Sequence, residues 1–256
     1  MLLAVDVGNT QTHLGAFRGE ELVEHWRFAT VRESTSDELG AALRNLLALR
    51  GLAFEDLGAS VVSSTVPQLG PEWAQVADDY LGHPMVVVGP GVKTGMAIRI
   101  NNPSELGADR LVNAVAAFDQ LGGPCIVVDF GTATTYDAVS SEGDYLGGII
   151  APGVEISVQA LTERAAKLPR IDLEPPDALI GKSTVEAIRS GVIYGFAGQV
   201  DGILHRMHAE LGAEARTIAT GGLAGSIVPF CSAIARVDDL LTLNGLRIIH
   251  ARNAPA

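Results

Sequence analysis

One short pattern occurs twice and limits the possible folds more than any other feature of the chain. Leu2–Val5 is an apolar run that ends at Asp6-Val-Gly-Asn-Thr10, and Cys125–Val128 is another that ends at Asp129-Phe-Gly-Thr-Ala-Thr-Thr135. A short apolar run closed by Gly with Asn or Thr reads as a buried strand entering a tight turn. Asp6 and Asp129, Gly8 and Gly131, Thr12 and Thr135 keep one offset of 123 residues, close to half of the 256-residue chain. Thr12–Phe17 and Leu22–Ala29 continue the first copy as strands, and Tyr136–Ser140 and Tyr145–Ile150 continue the second. The expectation is a duplicated α/β fold with lobes at residues 1–120 and 121–256, each a mixed sheet flanked by helices.

Helices fill the intervals. Ser36–Arg50 puts Leu39, Leu43, Leu46 and Leu47 on one face, with Asp37 and Glu38 in the first turn and Gly51 as a stop. Val61–Ser64 and Met85–Val88 read as strands around a helix over Pro71–Leu81. Two more helices are predicted over Glu155–Leu168 and Ser183–Leu211. The second carries Gly191, Gly195, Gly198 and Gly202, each costing about 1 kcal/mol relative to Ala in a helix interior. Close backbone packing within the chain explains such glycines, and a subunit interface on that face is the alternative.

Charge narrows the partners. Lys and Arg number 18 against 30 Asp and Glu, a formal net charge of -12. Affinity for nucleic acid comes largely from Lys and Arg displacing counterions, so no nucleic-acid partner is expected. No stretch approaches the roughly 20 apolar residues of a membrane helix, the N-terminus lacks a basic leader, and Cys125 and Cys231 are the only thiols. A cytoplasmic protein with no membrane partner is expected.

The turns suggest chemistry. Glycine lets backbone N–H groups approach phosphate, and the hydroxyl and amide groups of Thr and Asn add hydrogen bonds. A carboxylate at a strand end repels phosphate directly and suits a hydrated Mg²⁺ that phosphate oxygens complete. Thr220-Gly-Gly222 is a third such turn. A single Asp-x-Gly turn also closes an ordinary hairpin, but two matched copies and a third turn favour phosphate. Gly181-Lys-Ser183 lacks the upstream glycine of a P-loop, since Pro176 stands there, and Gly89-Pro-Gly91 lacks a third glycine at Thr94. His205 and His208, three apart, read as solvated or capping residues, whereas His13 is either an ordinary strand residue or a phosphate contact. Leu106-Gly-Ala-Asp-Arg-Leu111 opens a helical pattern. There Asp109 is either a helix cap or a base for a hydroxyl proton, beside an arginine suited to an anionic substrate.

Asp6–Thr10, Leu106–Arg110, Asp129–Thr135, Gly147-Gly-Ile-Ile-Ala-Pro-Gly153 and Ile180-Gly-Lys-Ser-Thr184 together resemble, in order, the motifs of type III pantothenate kinase, over nearly the whole chain. The resemblance implies the duplicated actin-like (ribonuclease H-like) fold, with ATP held between the lobes. It also implies phosphorylation of pantothenate to 4'-phosphopantothenate, the first step towards coenzyme A, by a homodimer using Mg²⁺ and a monovalent cation, K⁺ or NH₄⁺. By that resemblance Asp6, Val7, Gly8, Asn9, Thr10, Gln11, Thr12 and His13 form the ATP phosphate loop, and Thr132 adds a second ATP contact. Asp129 holds the monovalent cation. Gly107, Ala108, Asp109 and Arg110 line the pantothenate site with Asp109 as general base, and Thr184 reaches substrate across the dimer interface. Ile100 stands where the family usually carries a tyrosine, so one substrate contact is either missing, worth roughly three- to twelve-fold in affinity, or supplied by another group. The competing readings are a kinase of the same fold acting on another small alcohol or acid, and a non-catalytic nucleotide-binding regulator.

Overall fold

The computed structural model describes residues 1–164, 169, 171–212 and 215–254. The chain divides into two compact units: residues 1–96, 101–116 and 240–256 in one, and 97–100 with 117–239 in the other.

In the first unit, β1 (Leu2–Val7), β2 (Gln11–Arg18) and β3 (Glu21–Ala29) form an antiparallel meander. β4 (Ala59–Ser64) and β5 (Met85–Val87) add parallel on the other side of β1, giving the order β3-β2-β1-β4-β5. The central strand β1 buries Leu3, Ala4, Val5 and Val7 completely, as a strand covered on both faces must. α1 (Ser36–Ala48) starts at a Thr35–Glu38 capping box and lays Leu39, Leu43 and Leu47 into the core beside Trp73 of α2 (Leu69–Val76). The helix expected over Pro71–Leu81 is α2 followed by a wider π turn over Ala77–Leu81, which the left-handed Gly82 ends.

The second unit repeats the plan. α3 (Ala108–Leu121) leads into β6 (Cys125–Phe130), β7 (Ala133–Val139) and β8 (Tyr145–Pro152), again an antiparallel meander. α4 (Val154–Arg164) and α5 (Thr184–Leu211) follow; the expected continuation of α4 to Leu168 lies outside the described residues. β9 (Arg216–Thr220), a short α6 (Ala224–Ile227) and β10 (Arg236–Val237) complete the sheet β10-β9-β6-β7-β8. Strand for strand this is the order of the first sheet, so the duplication read from two turns extends to five strands. α7 (Leu241–Asn253) returns to the first unit, where a Cβ on Gly245 would fall 2.3 Å from the Val112 carbonyl oxygen of α3.

Two expectations need correction. Register puts His13 opposite Asp6 but Thr135 opposite Asp129, so Thr12 is not the counterpart of Thr135. The reason lies in the turns: the Gly8 N–H bonds the Gln11 carbonyl, while the Gly131 N–H bonds the Ala133 carbonyl, one residue sooner. Packing against the described residues does not explain three of the α5 glycines either, because among those residues a Cβ on Gly191, Gly195 or Gly198 would meet nothing within 4 Å.

Candidate functional site

β1 carries Asp6 near the C-terminal end of the first sheet's central strand, and the turn after it is tight because Gly8 leaves no room for a side chain. A Cβ there would lie 2.8 Å from the Gln11 carbonyl oxygen, which the Gly8 N–H already bonds at 3.0 Å. Asn9, Thr10 and Gln11 are exposed on the turn, and Val7 and Thr12 are buried beneath it. Thr12 Oγ1 lies 2.9 Å from Thr30 Oγ1. His13 is buried, with Nε2 at 3.2 Å from Nδ1 of His25. Burial, then the Arg27 and His25 charges, push the His13 pKa down to about 3. The ring is therefore neutral at physiological pH, and it brings no cation to the turn.

Asp109 lies in the first turn of α3, inside the helix rather than at its cap, after a Gly107 whose added Cβ would fall 2.5 Å from Asp109 Oδ1. Burial raises the Asp109 pKa, while the backbone N–H and guanidinium of Arg110 partly offset that rise. Burial and then the Asp109 charge push Asp6 up to about 7, against a lowering hydrogen bond from Ser63 Oγ at 2.9 Å. Ser63 is fully buried and sits opposite Asp6 on the parallel strand β4. Two carboxylates, each with its proton affinity raised by burial and Asp6 raised further by the Asp109 charge, form a donor set that a hard divalent cation neutralises, so these residues fit Mg²⁺.

The Asp6 shift has a consequence for stability. In metal-free protein the unfolded chain releases this proton near pH 4 and the folded chain near 7, so folding loses stability as pH rises through that window. Asp6→Asn removes the penalty while its amide oxygen still accepts from Ser63. In EDTA, urea unfolding of Asp6→Asn is expected to exceed the parent by roughly 2–4 kcal/mol above pH 7 and to match it near pH 4.

In the second unit Asp129 is the penultimate residue of β6, paired with Thr135 on β7 and Thr220 on β9. The β9 turn closes tightly over it: Gly221 has φ +94°, and a Cβ there would fall 2.4 Å from Asp129 Oδ1. Gly153 backs the Gly131-Thr132 turn so closely that a Cβ would lie 2.1 Å from the Thr132 carbonyl oxygen. Thr132 itself is exposed. Thr184 opens α5 just after its Ser183 cap and lines a groove between α4 and α5 with Leu161, Ile188 and Gly191. Ile100 packs on β8, its Cγ2 lying 3.6 Å from where a Gly147 Cβ would be.

The structure thus joins Asp6 with Asp109 in one unit, and Asp129 with the Thr132 and Gly221 turns in the other. Ser63 was missed from sequence. Its signal was the symmetry: a hydroxyl residue, Ser63 or Thr220, stands beside each strand-end carboxylate on the parallel neighbour. His208 takes a capping role, its Nδ1 accepting from the Ala215 N–H at 3.1 Å.

The family model described as type III pantothenate kinase matches residues 2–206. A type III pantothenate kinase of Moorella thermoacetica is 55% identical over 253 residues, covering 99% of this chain and 100% of that one. Another from Streptomyces avermitilis is 52% identical, covering 99% and 98%. Among solved structures, an activator of 2-hydroxyisocaproyl-CoA dehydratase from Clostridium difficile with bound ADPNP has a TM-score of 0.59 at 14% identity, covering 98% of this chain and 94% of its own. The ethanolamine utilization protein EutJ from Carboxydothermus hydrogenoformans has a TM-score of 0.57 at 15% identity, covering 96% and 89%. At such identities these two show the fold alone, which is the expected duplicated actin-like one.

Proposed function

The chain belongs to the type III pantothenate kinase family, and on that premise we propose that it transfers the γ-phosphate of ATP to the primary hydroxyl of pantothenate, giving 4'-phosphopantothenate for coenzyme A synthesis. The observation that carries the assignment of roles is the Asp6–Asp109 pair in the first unit. Asp109, its proton affinity raised by burial, accepts the hydroxyl proton as the oxygen attacks. Arg110, next to it, binds the pantothenate carboxylate, and Gly107 and Ala108 give the substrate backbone to lie against. Residues Asp6 to His13 cradle the ATP phosphates mainly through backbone N–H groups, and Thr132 adds a contact from the second turn. Asp6 holds Mg²⁺, which when bound offsets negative charge on the phosphates. Asp129 holds K⁺ or NH₄⁺, the tight approach of Gly221 supplying backbone dipoles around its carboxylate.

A homodimer suits the second unit. Gly191, Gly195 and Gly198 leave α5 open to close approach, and Ile180, four residues before α5, is 82% exposed. Thr184, on the rim of the α4–α5 groove, then serves the partner's pantothenate. The setting proposed is the cytoplasm: both thiols are free and buried or half-buried, as in a reducing compartment, and no described helix is long and apolar enough to cross a membrane. The charge of -12 leaves nucleic acid out of the proposed partners.

The test is ADP release with pantothenate, run with K⁺ or with Na⁺ as the only monovalent cation, alongside sedimentation. Pantothenate-dependent turnover favouring K⁺ by roughly tenfold or more, from a species of two chains, is expected (an order set by losing one charge-stabilising contact). Equal rates in the two salts remove the cation from Asp129, and a monomer with full activity removes Thr184 from the substrate site.

A further inference from the structure

The ATP phosphate turn carries no cationic side chain of its own, since Asp6 is acidic and His13 is neutral. A triphosphate that must be transferred rather than merely held needs positive charge at its terminal group. The structure brings one from outside the turn. The N–H of Thr30 bonds the Thr10 carbonyl at 2.9 Å, and the two hydroxyls of Thr12 and Thr30 meet below it, so the end of β3 is tied to the turn. The chain then makes a short bend closed by the Ser34 N–H on the Val31 carbonyl, and Thr35 caps α1 immediately after. Arg32 is thereby held at the turn from both sides, and its Nη2 donates to Asn9 Oδ1 at 2.5 Å. The side chain is exposed, and a guanidinium has five N–H donors.

We propose that Arg32 is a catalytic residue for the phosphoryl transfer: one edge of its guanidinium stays on Asn9 while the other donates to the terminal phosphate of ATP. The proposal rests on the kinase reading above. The terminal phosphate belongs at this turn because Asp6, the carboxylate that starts the turn and is proposed to hold Mg²⁺, lies close enough to feel the charge of Asp109, the base for the acceptor hydroxyl. A planar fork fixed on a side-chain amide is well placed to grip two phosphate oxygens, which a point-charge ammonium grips less specifically.

Arg32→Met keeps the aliphatic stem and removes donors and charge; Arg32→Lys restores the charge alone. Calorimetric titration with Mg-ATP and Mg-ADP, with pantothenate turnover in parallel, separates the outcomes. Arg32→Met is expected to weaken ATP about tenfold, leave ADP within twofold, and lower kcat about 10²-fold, with Arg32→Lys recovering part of each loss. Unchanged ATP affinity and turnover in Arg32→Met would overturn the proposal, as would equal losses for ATP and ADP, which mean that Arg32 only orders Asn9. If the parent protein itself fails with pantothenate, the kinase reading falls, yet the ATP-against-ADP comparison still decides Arg32.

Discussion

Asp109→Asn is expected to lower kcat for pantothenate by about 10²–10⁴-fold while ATP affinity stays within threefold. The substitution keeps the size of the side chain and its acceptor oxygen, so α3 should start as before. What it removes is the ability to take a proton, which the enclosed carboxylate of Asp109 has in greater measure than a solvated one because burial raises its pKa. It also removes the Asp109 charge, which adds to burial in pushing Asp6 up towards 7. Asp6 should then ionise at lower pH, and Mg-ATP binding in the variant should hold to lower pH than in the parent. Steady-state turnover and calorimetry across pH check both parts. Turnover within threefold of the parent would take the base role away from Asp109.

Gly221→Ala is expected to damage the second unit more than any single-methyl change elsewhere in its phosphate turns. Glycine is required there on two counts. Its φ of +94° is a conformation that residues with a Cβ rarely adopt, and the added carbon would sit 2.4 Å from Asp129 Oδ1 and 2.6 Å from the Phe130 nitrogen. Backbone cannot yield as a flexible side chain can, so β6 and β9 must separate or the turn must flip. A cost of about 2–4 kcal/mol follows from strained dihedrals plus overpacking. Urea unfolding measures it, and ATP affinity should drop at least tenfold in whatever fraction remains folded. Gly222→Ala is the control, because a Cβ on Gly222 meets nothing within 4 Å. Equal stability in the two variants would show that the turn accommodates a side chain and that the close approach to Asp129 is not needed.

How much of this was legible in the sequence differs from element to element. The strand ends near Asp6 and Asp129 could be read to within a residue, because an acid interrupts the apolar run of a buried strand, although β1 and β6 each continue one residue past the acid, to Val7 and Phe130. The one-residue difference between the two turns could not. It depends on which carbonyl the Gly8 and Gly131 N–H groups choose, and both Asn9-Thr10 and Thr132 are compatible with either closure. Asp109 as a carboxylate near phosphate chemistry was visible through family motifs. Its coupling to Asp6 was not, because the two are far apart in sequence and come within reach of each other's charge only in the folded unit. Ser63 was hidden for a similar reason: a serine in an apolar strand carries no sign of what lies beside it until the register with β1 is known. The glycines of α5 were visible as costly helix residues, but low helix propensity does not say what, if anything, approaches them, and a Cβ on Gly191, Gly195 or Gly198 meets none of the described residues within 4 Å. The return of α7 to the first unit was likewise invisible, because an apolar stripe states that a helix packs without naming the sheet it packs on.

The most direct test of the central claim is to identify the product. Incubating the protein with Mg-ATP, K⁺ and pantothenate, and locating the new phosphate by ³¹P–¹H correlation, should show one phosphoryl group on the primary hydroxyl carbon of pantothenate for each ADP released. ADP released without phosphopantothenate, or a faster phosphorylation of a different small alcohol, would contradict it.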